Sequence, residues 1–166
     1  MLAKYLAEVV ATESPVFWME AVRRIAAVAG VSRIGDRIRD AFLSACKLGN
    51  RTNQFVFRDN FLWADETLRV TVRNRSSFPA AMKKLELVAP EEICAAIEMA
   101  VSTSFGIERQ DIPASACRLL GFSRTTDNFW TIIDPLCAQM LSEERLVLRG
   151  TTVTIRNGTD RARRGA

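Results

Sequence analysis

Gly30-Val-Ser-Arg-Ile-Gly-Asp36 and Gly121-Phe-Ser-Arg-Thr-Thr-Asp127 are one phrase written twice, 91 residues apart. Sliding the chain by that interval aligns Leu2 to Trp63 with Ile93 to Thr154 without a gap, and nine positions are identical, among them Val10 with Val101, Cys46 with Cys137 and Arg58 with Arg149. Identity at nine places is modest, but the apolar residues also keep one register throughout. An internal repeat of this kind decides architecture before any local pattern does.

Outward from the phrase, each copy reads as helix, helix, turn, helix, hairpin. The first helices carry Leu2, Leu6, Val9 and Val10, or Ile93, Ile97, Ala100 and Val101, at the spacing of one helical face. Pro90 with Glu91 and Glu92 is a good helix start, a proline in the first turn and acids near the positive dipole end. The second helices carry Val22, Ile25, Ala26 and Ala29, or Pro113, Ala116, Cys117 and Leu120, with Asp111 as a cap for the latter. Both stop at the glycine of the phrase, suited to a left-handed C-cap. The third helices bury Ile34, Ile38, Ala41, Phe42 and Ala45, or Phe129, Ile132, Ile133, Leu136 and Met140, the latter interrupted at Pro135.

After Gly49 the period becomes alternating: Phe55 and Phe57, a turn at Asp59-Asn60, then Phe61 and Trp63. The second copy offers Leu146 and Leu148, a turn at Arg149-Gly150, then Val153 and Ile155. The expected fold is α+β, mostly helical, with two winged-helix-like units in tandem, each of three helices plus a β-hairpin. They span 1–64 and 90–155, with a basic connector at 65–89 and a disordered basic tail at 156–166. Within the connector, Leu68 to Arg73 alternates like a strand, so it is either an ordered linker or an added strand against one wing.

The chemistry excluded is broad. The 166 residues contain no histidine, which removes the commonest general base and the commonest zinc ligand together. No nucleophile elbow, phosphate-cradling glycine loop or calcium loop is present. Glu91-Glu92 and Glu143-Glu144 are adjacent on helices and point about 100° apart, so neither pair makes a catalytic dyad. Cys46, Cys94, Cys117 and Cys137 lack CxxC spacing and fall in apolar helical stretches, the pattern of buried thiols in a reducing cytoplasm. No stretch reaches the roughly 20 apolar residues of a membrane span. No catalytic residue, metal or cofactor is expected.

The phrase Gly30 to Arg39, the closing Asp59-Asn-Phe-Leu-Trp63, the basic Val70 to Ser76, Leu85 to Ile97, and Leu120-Gly-Phe-Ser-Arg124 together resemble a bacterial family. It is the domain of unknown function at the C-terminal end of large helicase-like proteins that also carry a very-short-patch-repair-like nuclease domain. The resemblance covers about Pro15 to Leu146. The second copy departs from it at Thr126, Asn128 and Trp130. It brings no catalytic residue, and it implies a module serving a DNA-processing machine, with helicase or nuclease domains of the same or a partner protein as partners.

Charge locates any contact with nucleic acid. By segment the formal charge is +3 for 1–64, +2 for 65–89, −4 for 90–155 and +3 for 156–166. Phosphate contacts therefore belong to the first copy, the connector or the tail. The candidate DNA-binding residues are Arg33, Arg37, Arg39 and Lys47 around the third helix, with Arg73 and Arg75 in the connector. Asp36 and Asp40 on the same helix oppose a phosphate backbone. Phe55, Phe57, Phe61 and Trp63 read as core packed on the helices rather than as stacking platforms. Phe17 and Trp18, just after Pro15, are either a protein-interaction pair or a core staple. The function expected is a non-catalytic accessory module of a helicase or nuclease system, touching DNA with the first unit and connector and protein with the second. The alternative is a protein–protein module without DNA binding.

Overall fold

The computed structural model describes residues 1–65, 70–123 and 127–156, with no account of the Asp127 and Asn128 side chains. It divides into two compact units, Met1–Val70 with Leu87–Ala89, and Thr71–Glu86 with Pro90–Ala166. The expected connector is thus shared between them. The run at 66–69, the turn at 124–126 and the tail from 157 onward lie outside the described residues.

Unit one runs α1 (Leu2–Glu13), β1 (Val16–Phe17), α2 (Trp18–Val28), α3 (Asp36–Arg51), β2 (Val56–Arg58) and β3 (Phe61–Trp63). Unit two repeats the order with α4 (Pro90–Thr103), β4 (Ile107–Glu108), a 3-10 turn Arg109–Asp111, α5 (Ile112–Leu119), α6 (Asp127–Ser142), β5 (Leu146–Arg149) and β6 (Thr152–Ile155). The repeat is thus one of structure: α3 and α6 begin and end on residues 91 apart, as do β1 and β4. The backbone bond from Trp18 to the Asn60 carbonyl recurs from Arg109 to Thr151, and that from Gln54 to Gly49 recurs from Arg145 to Met140. The fold is α+β, with two winged-helix-like units.

Each sheet has three antiparallel strands, ordered β1-β3-β2 and β4-β6-β5. The short strands ahead of α2 and α5 go beyond the expected layout, because two residues carry no period to read. The first hairpin turns at Asp59 and Asn60, both at positive φ (50° and 66°), as the sequence predicts. The second turns one residue later than expected: Arg149 pairs with Thr152, which leaves Gly150 and Thr151 as the loop.

Pairing register splits unit one's sheet into two faces, both buried. Val16, Leu62 and Phe57 lie on one face and join α1, α2 and α3 in a core with Leu6, Val10, Val22, Phe42 and Cys46. Phe17, Phe61, Trp63 and Val56 lie on the other and pack with Val70 and Ala89. Phe61 and Trp63 are core, as expected, but on the sheet face away from the helices. The Arg58 guanidinium stacks 4.3 Å above the Trp63 ring.

Three smaller expectations are corrected. Ala29 and Ala41 are exposed, since α2 ends at Val28 and α3 turns its Phe42, Ala45, Cys46 and Gly49 face inward. Asp111 makes no side-chain cap, because the 3-10 turn runs straight into α5 and holds it at helical angles (φ −94°, ψ −9°) where a cap residue is extended. The segment from Val70 to Arg75 forms no strand and follows an irregular path. Helix α6 does continue past Pro135. Among the described residues no helix is long and apolar enough to cross a membrane.

Candidate functional site

Helix α3 presents an exposed face that carries Arg37, Lys47 and Arg51. With Phe42, Ala45, Cys46 and Gly49 inward, 100° steps put Arg37, Asp40, Ser44, Lys47 and Arg51 on the opposite side, and all five are exposed. Arg33 stands exposed in the turn from α2, three residues ahead of the helix. Among the described residues Arg33, Arg37 and Lys47 form no ion pair. Arg39 is held loosely, 3.5 Å from Asp36, with both side chains largely exposed, a pair worth little in water. Arg51, in the last turn, extends the same face beyond the candidates that the sequence suggests, because the helix runs one turn past Lys47.

The connector arginines do something else. Arg75 is 5% exposed and grips Glu92, itself fully buried, with two parallel bonds of 2.8 and 2.7 Å. Arg73 donates its backbone N–H to the same carboxylate at 2.9 Å and its guanidinium at 2.9 Å. Arg75 also donates to the Arg73 carbonyl at 2.8 Å. A buried guanidinium survives only with its charge paired and its donors used, and Glu92 provides both. Assignment of Arg75 to DNA is therefore corrected: it is a structural cation that ties Arg73–Ser76 onto α4. Arg73 keeps a partly exposed side chain but is committed to the same acid. Burial pushes the Glu92 pKa up, but the hydrogen bonds and charges of Arg75 and Arg73 outweigh it, and the carboxyl sits below its usual 4.5.

Trp18 is core rather than docking surface, and Phe17 is half-buried against it and the sheet. Trp18 is 8% exposed, and Phe17 meets Phe61 edge-on at 5.5 Å. The pair joins the end of β1 to the start of α2.

Unit two exposes apolar surface at the positions that correspond to Arg39 and Phe57 of unit one. Trp130, in the first turns of α6, and Leu148, on β5, are 41% and 43% exposed. With Glu108, Arg109, Gly150 and Thr151 they line a groove of about 370 Å³ between helix and wing. Arg109 pairs with Asp134 at 2.8 Å beside it, and Thr152 donates to Glu108 at 2.7 Å. Little in the sequence marks this groove, since Trp130 fits a helical apolar stripe as well as a surface.

All four cysteines are buried free thiols. Burial pushes Cys46 and Cys117 up to about 12 and Cys137 to about 11, so none of these three is a nucleophile at neutral pH. Among the described residues no group of three or more His, Cys, Asp or Glu is placed to hold a metal.

A family model described as "Protein of unknown function (DUF3320)" matches residues 1–40. That stretch runs from α1 through β1 and α2 into the start of α3, and it includes the Gly30 to Arg39 phrase. The chain is similar to a domain of unknown function there. No curated protein and no solved structure gives a match.

Proposed function

We propose that the chain is a non-catalytic accessory module of a helicase or nuclease system, in which unit one contacts DNA and unit two contacts protein. The observation that carries the DNA half is the exposed α3 face, where Arg33, Arg37 and Lys47 have no ion-pair partner among the described residues and Arg51 extends the row. Winged-helix units commonly present their third helix to a groove, and cations free of partners are available to phosphates. The connector's Arg75 stands outside this surface. The helicase and nuclease context rests on the sequence resemblance alone.

Binding to duplex DNA over a salt series tests it, using a chain that ends at Ile155 so that the arginine-rich tail contributes nothing. Changing Arg33, Arg37 and Lys47 to alanine should weaken binding and flatten the salt slope by about 0.9 for each phosphate no longer neutralised. No measurable affinity of the truncated chain at low salt would sink the reading.

A purely protein-binding role is the second reading. The exposed Trp130 and Leu148 favour it for unit two, since aromatic anchors in grooves are typical of protein contacts.

A further inference from the structure

The two units differ in what lies against the ends of α2 and α5. Both helices close with the same three bonds: Ala29 to Ile25, Gly30 to Ala27 and Val31 to Ala26 in unit one, and Leu120 to Ala116, Gly121 to Arg118 and Phe122 to Cys117 in unit two. Both glycines are left-handed, at φ 70° and 84°. In unit two a further chain segment lies on this end. Arg75 N–H donates to the Leu120 carbonyl at 2.9 Å, and a Cβ on Gly121 would stand 2.4 Å from the backbone nitrogens of Arg75 and Ser76. In unit one no described residue lies on the same end. Nothing lies within 4 Å of a Cβ on Gly30, and the Ala29 carbonyl accepts no bond among the described residues. A groove of about 430 Å³ takes the segment's place, lined by Arg23, Ala26, Ala27, Gly30, Ser32 and Ile34 among others.

The carboxylate that anchors the segment in unit two has no counterpart in unit one. Unit two offers buried Glu92 to the segment's arginines, whereas Met1 holds that register in unit one. Among the described residues no carboxylate lines the unit-one groove. Its charged edge is cationic: Arg23, which also pairs with Glu20 on its own helix, is part of the lining, and Arg33 is exposed between Ser32 and Ile34.

We propose that this groove of unit one takes an irregular, acidic peptide segment of a partner protein, laid as Arg73 to Ser76 lie across Gly121, with a backbone N–H of that segment donating to the Ala29 carbonyl. A peptide backbone fits this spot better than a phosphate backbone, because a phosphodiester has no proton to give a carbonyl. The site is separate from the α3 face proposed for DNA, apart from the shared neighbour Arg33.

The test uses the full chain, labelled with nitrogen-15, and two synthetic peptides. One copies Thr71 to Pro79; the other carries glutamate at its two arginine positions. The glutamate peptide should shift the amide signals of Ala26 to Ile34 and bind about tenfold or more tighter than the arginine peptide. Ala27→Trp, at an exposed helical position, should fill the groove and weaken that binding by a similar factor. Arg37→Ala with Lys47→Ala should leave it unchanged, so a failure of the DNA reading and a failure of this one are distinguishable. Equal binding of the two peptides, no shifts at Ala26 to Ile34 with either, or a fall in duplex DNA affinity in Ala27→Trp as large as the fall in peptide affinity would overturn the proposal.

Discussion

Glu92→Gln isolates the interaction that fixes the connector to unit two. The carboxylate is fully buried, takes two bonds from Arg75 and two of 2.9 Å from Arg73, and has no water-facing side. Glutamine fits the space and still accepts with one oxygen, but it leaves the buried Arg75 side chain without a counter-charge. Removing one partner of a buried pair costs about 3–5 kcal/mol, and the retained acceptor argues for the low end. A loss of about 3 kcal/mol raises the opening equilibrium about a hundredfold.

Because a chain of two units need not unfold in one step, the readout must be local. Amide hydrogen exchange in α4 and α5 should speed up about a hundredfold, while protection in α1 and α2 stays as it was. Arg75→Met should cost a comparable amount, and the double variant less than the sum of the two. A cost below about 1 kcal/mol, or equal destabilisation of both units, would refute the role of Glu92 as the anchor.

Acid provides an independent measure of the same carboxylate. Its folded pKa lies below the usual 4.5, so its contribution is complete above that pH and is lost as pH falls through the folded value; protection of α4 and α5 should drop there, and Glu92→Gln should remove that dependence. Gly121→Ala should destabilise more than Gly30→Ala in thermal melts, since both put a side chain at positive φ but only the first drives a Cβ to 2.4 Å from backbone nitrogens. Gly49→Ala should cost about 1–3 kcal/mol despite alanine's better helix propensity, because the new Cβ falls 2.2 Å from the buried Phe55 ring; a stabilised variant would show that the ring can move aside.

The repeat made most of the fold legible. A shared apolar register locates three helices twice, and a glycine at the end of each second helix announces the left-handed cap that both adopt. Asp59-Asn60 between aromatic alternations specifies the first turn. Other features have no such signature. Two-residue strands are too short to show a period, and Gly150 serves either of two loop registers. Trp63 and Phe61 alternate correctly, but alternation cannot say that a sheet's second face is also covered. The connector departs furthest from its sequence pattern. A count of charges treats Arg73 and Arg75 as solvated, and only the fold brings Glu92, which as a first-turn helical acid needs no other explanation, against both of them.

The buried Glu92 cluster also shows how the repeat diverged. The two units keep the same closing bonds at α2 and α5 and the same third-helix boundaries, and they differ in what covers those helix ends. Unit two uses its fully buried carboxylate to hold its own connector, and it exposes Trp130. Unit one keeps the matching glycine, leaves the neighbouring carbonyl without a partner among the described residues, and places arginines on the rim and along α3. A scaffold copied twice thus presents a closed helix end in one unit and an open one in the other. The open end and the cationic helix beside it are where contact with other molecules is to be sought first.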